Sequence, residues 1–120
     1  MANILIVDDD ELHLDIYEGI LKDLGHEITF VTRGAVAVEA ALADPPDLII
    51  MDIQMPEMSG FEAMRRMRQE DTLKNTPILA ATVVADPKSY DEIYESGATG
   101  YISKPIDAKQ LISRLQEMLS

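Results

Sequence analysis

Short runs of near-continuous apolar residues recur along this chain at Asn3 to Val7, Leu48 to Met51 and Pro77 to Ala81, with a shorter one at Gly100 to Ile102. A run of strand length without polar alternation is buried on both faces, which calls for a parallel sheet with helices above and below. The segment Glu27-Ile28-Thr29-Phe30-Val31 alternates in part and predicts a less covered edge strand. Between the runs the period becomes helical. Leu14, Tyr17, Leu21 and Leu24 mark a first helix stopped by Gly25, and a second spans about Ala35 to Ala43 before Pro45-Pro46. Ser59-Gly60-Phe61-Glu62 is a capping-box pattern opening a third, which is expected to bury Phe61, Met64 and Met67. Asp86-Pro87 opens a fourth and Asp107 a fifth, with Leu111, Leu115 and Met118 as its inward stripe. The order is β-α five times over, so an α/β sandwich with right-handed crossovers is predicted.

The whole sequence, 120 residues with 47% hydrophobic, suits one core. Residues 1–120 are therefore expected to form a single domain with no output domain. A formal net charge of −12 repels phosphate backbones and anionic lipids, which argues against direct nucleic-acid partners. The absence of Cys excludes disulfides, thiolate metal sites and cysteine nucleophiles, and two His exclude a three-histidine site. No apolar run approaches the roughly 20 residues of a membrane span, and Met1-Ala2-Asn3 does not begin a secretion signal. A cytoplasmic protein is expected.

In open α/β sheets, ligands bind beyond the carboxyl ends of the strands. The residues there are Asp8-Asp9-Asp10 after the first run, Asp52 after the third strand, Thr82 after the fourth and Ser103-Lys104-Pro105 after the fifth. Should strands one and three be neighbours, Asp8, Asp9 and Asp52 converge, and their repulsion raises a pKa or demands a cation. Oxygen donors without Cys or a suitable His select Mg²⁺, with coordination positions left open. Such a site suits phosphoryl transfer: Asp52 as nucleophile, with Lys104 and Thr82 offering a charge and a hydroxyl to phosphoryl oxygens.

These residues resemble the receiver domain of two-component response regulators over the whole chain. The matching motifs are Ile4-Leu5-Ile6-Val7-Asp8-Asp9, Leu48-Ile49-Ile50-Met51-Asp52 followed by Met55-Pro56 and Gly60, Ala81-Thr82, and Tyr101-Ile102-Ser103-Lys104-Pro105. Spacing agrees as well, with Asp52 43 residues after Asp9, Thr82 30 after Asp52 and Lys104 22 after Thr82. The resemblance implies a flavodoxin-like (CheY-like) five-stranded parallel sheet of order 2-1-3-4-5, helices one and five on one face and two, three and four on the other. It implies that Asp52 accepts a phosphoryl group from a histidine kinase or histidine phosphotransfer protein. It further implies that Asp9, Asp52 and the backbone carbonyl of Gln54 ligate Mg²⁺ directly while Asp8 acts mostly through water. Thr82 and Tyr101 then move together on phosphorylation and remodel the face of helix four, strand five and helix five for protein binding, and a phosphorylation-dependent dimer is allowed. The Lys104-Pro105 bond is commonly cis in the family.

One segment departs from the family pattern. Val83 and Val84 stand where a small residue usually follows the switch Thr, and bulk at Val83 with an apolar Val84 beside Gln54 predicts a long-lived phosphorylated state. Asp10 reads as a helix cap rather than a ligand. His13 and His26 read as surface residues, Arg65, Arg66 and Arg68 as a solvated face, and Tyr90 and Tyr94 as exposed aromatics that either join Tyr101 or pack locally. Three rival functions carry less. A Mg²⁺-dependent phosphohydrolase commonly has a second carboxylate two residues after the nucleophile, where Gln54 stands here. An interaction module with a decayed site would lack some of these residues. A flavodoxin would need a Ser/Thr/Gly-rich phosphate loop after strand one.

Overall fold

The protein is described by a computed structural model covering residues 2–83 and 87–119. Val84, Ala85 and Asp86 lie outside the described residues, and with them the expected Asp86 cap and the Val84 side of the site. In chain order the elements are β1 (Asn3–Val7), α1 (Glu11–Leu21), β2 (Glu27–Val31), α2 (Gly34–Ala43), β3 (Leu48–Asp52) and α3 (Gly60–Arg68), then β4 (Ile78–Thr82), α4 (Pro87–Glu95), β5 (Gly100–Ser103) and α5 (Ala108–Leu119). All strand pairs are parallel, and the order is β2-β1-β3-β4-β5. Both the β-α alternation and the strand order agree with the reading from sequence.

Alternation along each strand sorts the core into two layers. Leu5, Val7, Ile49, Met51, Ile78 and Ala80 face α2, α3 and α4, where Ala37, Ala41, Met64, Met67 and Ile93 meet them. Ile4, Ile6, Leu48, Ile50, Leu79 and Ile102 face the other way onto Tyr17 and Leu21 of α1 and Leu111 and Leu115 of α5. Helices one and five thus share a face, as expected. Each fully buried Leu or Ile stabilises the fold by about 1.5–3 kcal/mol.

The helix ends follow local chemistry. Asp10 caps α1 by accepting from the Leu12 N–H at 2.9 Å, and Ser59 caps α3 by accepting from the Glu62 N–H at 3.3 Å. Gly25 takes a left-handed φ of 79° at the stop predicted for it. Some core expectations change. α1 tightens to a 3₁₀ turn over Lys22–Leu24, which rotates Leu24 off the stripe and leaves it 39% exposed. Phe61 and Met118 are half-buried, and Ala63 takes the fully buried place in α3.

Register aligns the strand ends. Val7 pairs with Met51, Asp52 with Ala81 and Thr82 with Ser103, so the residues that follow β1, β4 and β5 gather around the end of β3.

Candidate functional site

Asp8 leaves β1 with its N–H held by the Val31 carbonyl at 3.1 Å, and its side chain is buried. Its Oδ1 accepts from the Asp10 N–H at 2.9 Å, which links the acid to the cap of α1. Asp52 is the last residue of β3 and is also buried. Beyond it the Ile53 N–H donates to the Ala81 carbonyl at 3.1 Å, and the Gly60 N–H returns to the Ile53 carbonyl at 2.9 Å. Gly60 is required there: a Cβ would meet the Asp52 carbonyl oxygen and come within 2.7 Å of the Ile53 Cα, backbone atoms that cannot yield. The close approach folds the 53–59 loop tightly under the acid.

Lys104 comes from the loop after β5. Its N–H donates to the Thr82 carbonyl at 2.9 Å, so the fourth strand's end positions the lysine's backbone, and the Lys104-Pro105 peptide is cis as the resemblance implied. The ammonium lies 3.1 Å from both Asp8 Oδ2 and Asp52 Oδ1, with the Lys104 side chain only 11% exposed. The Gln54 N–H adds a weaker bond to Asp52 Oδ1 at 3.3 Å. Burial pushes the Asp52 carboxyl up to about 6; Lys104 opposes this and the charge on Asp8 adds to it. Tyr17, buried beneath on α1, has its phenol pushed above its ordinary value by burial and then by Asp8 and Asp52.

Asp8, Asp9 and Asp52 each place a carboxylate oxygen within 4.8 Å of the others, with Asp9 exposed at the mouth. An all-oxygen donor set with one open side fits a hard divalent cation such as Mg²⁺. Three of the residues singled out from sequence, Asp8, Asp52 and Lys104, are in direct contact, and Asp9 is within reach. Thr82 is buried at the end of β4. Tyr101 belongs to a different neighbourhood: its ring stacks on Tyr90 of α4 at 4.5 Å between centroids and meets Tyr94 edge-on at 6.3 Å. Tyr90 is half-buried against the core rather than exposed, so it packs locally while also stacking on Tyr101.

Two residues correct the sequence reading. His13 is not a surface bystander: its Nδ1 lies 2.8 Å from Asp8 Oδ2 and 3.5 Å from Lys104 Nζ. The signal was present, because His13 is four residues before buried Tyr17 and shares its inward face. Arg68 leaves the solvated cluster, donating from Nε to the Gly97 carbonyl at 2.9 Å and from Nη1 to the Leu73 and Lys74 carbonyls at 2.8 and 3.2 Å. Desolvation lowers its pKa. Carbonyl partners have no residue-type signature, so nothing in the sequence marked it. Arg65 and Arg66 remain exposed beside Glu92 and Glu62. His26 is half-buried, its Nδ1 taking the Ala2 N–H at 3.2 Å.

Comparison with known proteins places this geometry. The family described as response regulator receiver domain matches residues 4–116. The polar-differentiation response regulator DivK of Brucella anthropi is 33% identical over 98% of this chain and 95% of its own length. Among solved structures, the Vibrio cholerae chemotaxis protein CheY4 superposes with a TM-score of 0.93 at 35% identity, covering 99% of each chain. The receiver domain of the Pseudomonas aeruginosa sensor histidine kinase PA1611, described with a magnesium ion coordinated in its active site cleft, gives 0.91 at 30% identity over 98% of this chain and 97% of that one.

Proposed function

This chain belongs to the response regulator receiver domain family and is a phospho-accepting switch of two-component signalling, and we propose that Asp52 is the residue that takes the phosphoryl group. The observation that carries the assignment is the ion pair of buried Asp52 with Lys104 beside Asp8, at the end of the central strand. A carboxylate oxygen of Asp52 attacks the phosphorus of a phosphohistidine; the O–P bond forms as the N–P bond breaks, and the electron pair stays on the departing imidazole. Lys104 moves with the phosphoryl group as a point charge on one oxygen, and the Thr82 hydroxyl donates to another. Asp9, Asp52 and the Gln54 carbonyl would hold Mg²⁺, with Asp8 acting mostly through water, and the ion would neutralise phosphoryl charge. The domain assists only its own phosphorylation and dephosphorylation.

The donor in this reading is a histidine kinase or a histidine phosphotransfer protein, the location is cytoplasmic, and residues 1–120 act as one unit. Among the described residues no helix is long and apolar enough to cross a membrane. The Tyr90-Tyr94-Tyr101 group carries the signal outward. When the Thr82 side shifts, Tyr101 moves with it and changes the α4-β5-α5 face that a partner protein, or a second phosphorylated copy, would bind.

Intact mass after incubation with acetyl phosphate or phosphoramidate and Mg²⁺ tests the assignment. One added phosphoryl group, dependent on Mg²⁺ and absent from Asp52→Asn, is expected. An adduct that persists in that variant overturns it, and continuous turnover of phosphate esters would favour the phosphohydrolase.

A further inference from the structure

We propose that His13 is a positioning residue of the acceptor site, acting through Asp8 on both the bound cation and Lys104. The proposal rests on reading Asp52 as the acceptor. Three donors converge on the two oxygens of buried Asp8: the Asp10 N–H on Oδ1 at 2.9 Å, and His13 Nδ1 at 2.8 Å and Lys104 Nζ at 3.1 Å on Oδ2. A carboxylate oxygen has two good acceptor directions, so Oδ2 is full. The carboxylate offers only acceptors and the ammonium only donors. His13 Nδ1 therefore carries a proton toward Asp8, and its 3.5 Å approach to Lys104 Nζ is the spacing of two donors sharing one oxygen. The ring enters from the solvent side, its side chain 34% exposed, with Nε2 3.5 Å from Asp10 Oδ2 of the helix cap.

This sharing sets two quantities in opposite directions. While His13 holds one direction of Oδ2, Asp8 grips Lys104 less tightly, and the lysine is free to follow a phosphoryl oxygen. The same bond keeps that direction from a water of the hydrated cation, so Mg²⁺ binds less tightly than the three acids alone would bind it. Without His13, Lys104 is the remaining donor on Oδ2 among the described residues, and the vacated direction opens to cation-bound water. Cation affinity rises while transfer at saturating cation slows. A residue that merely propped up α1 would move neither quantity, or weaken both.

The experiment compares wild type with His13→Leu, which removes the donor, and His13→Asn, whose amide nitrogen stands the same number of bonds from Cα as Nδ1. The Mg²⁺ dissociation constant is measured by calorimetry, and acetyl-phosphate-driven phosphorylation by intact mass at saturating Mg²⁺. For His13→Leu the dissociation constant should fall about threefold and the phosphorylation rate should fall threefold to tenfold, the range of one lost charge-assisted hydrogen bond partly replaced by water. His13→Asn should return both toward wild type. Unchanged constants in the Leu variant, or weakening of both, overturn the proposal. If that variant does not fold, His13→Ala carries the same expectation. A wild-type chain that takes no phosphoryl group overturns the Asp52 reading instead, and the calorimetric comparison then decides His13 alone.

Discussion

The middle of the sheet and its carboxyl edge are both buried, yet they obey opposite rules. In the middle, Ile4, Ile6, Ile49 and Ile50 are at most 1% exposed and belong to the two apolar clusters of the core. At the edge, Asp8 and Asp52 are nearly as buried but carry carboxylates that share a single lysine. The first region is built for stability. The second holds two acids side by side at a standing cost, because burial and the neighbouring Asp8 charge both disfavour the ionised form of Asp52. The cost at the edge is borne by burial of the apolar residues in the middle of the same sheet.

Replacing Ile50 by Ala breaks the interior half of this comparison. A loss of about 3–4 kcal/mol in urea unfolding is expected, with the folded fraction still taking one phosphoryl group. Arg68 sharpens the contrast, since its charge is also desolvated but bonded to three carbonyls. Arg68→Ala should lose about 2 kcal/mol in the same assay, against the gain expected if any desolvated charge were a liability. Asp52→Asn should run the other way, gaining about 1–2 kcal/mol at pH 7 while abolishing the adduct; the full pKa difference is discounted because the Lys104 pair is lost with it. The pH dependence follows in sign. Because the folded carboxyl binds its proton more tightly than the unfolded one, its contribution is present below pH 3.8 and is lost as pH rises to about 6. The advantage of the Asn variant in melting experiments should therefore shrink as pH falls through that window. Last, Val83 is 59% exposed at the rim, so Val83→Ala should leave stability nearly unchanged. It should speed loss of the phosphoryl group about twofold, ~0.4 kcal/mol of barrier; unchanged or slower loss removes the idea that bulk there protects the bond.

Much of this was legible in the sequence because both regions write strong local signals. Strands such as Leu48–Asp52, buried on both faces, appear as unbroken apolar runs, and the acids and lysine that end them stand out against those runs. Legibility failed where a side chain's role depends on a partner without a type of its own or on a change of helical pitch. Arg68 is held by the carbonyl of Gly97, 29 positions away, and Leu24 turns out of the core because three residues wind as 3₁₀. His13 was missed for another reason. Polar residues on an apolar face read as noise until the pocket they enter is known, and that pocket is closed by Lys104, 91 positions further on.

The contact between Asp8 and Lys104 spans 96 positions. Neither half of the chain contains the whole cluster, and the Asp8–Lys104 pair requires β5 to lie on β4 with the loop beyond it returning to the end of the first strand. On the reading of Asp52 as acceptor, the switch depends on one folded unit that brings the first strand and the loop after the last strand side by side.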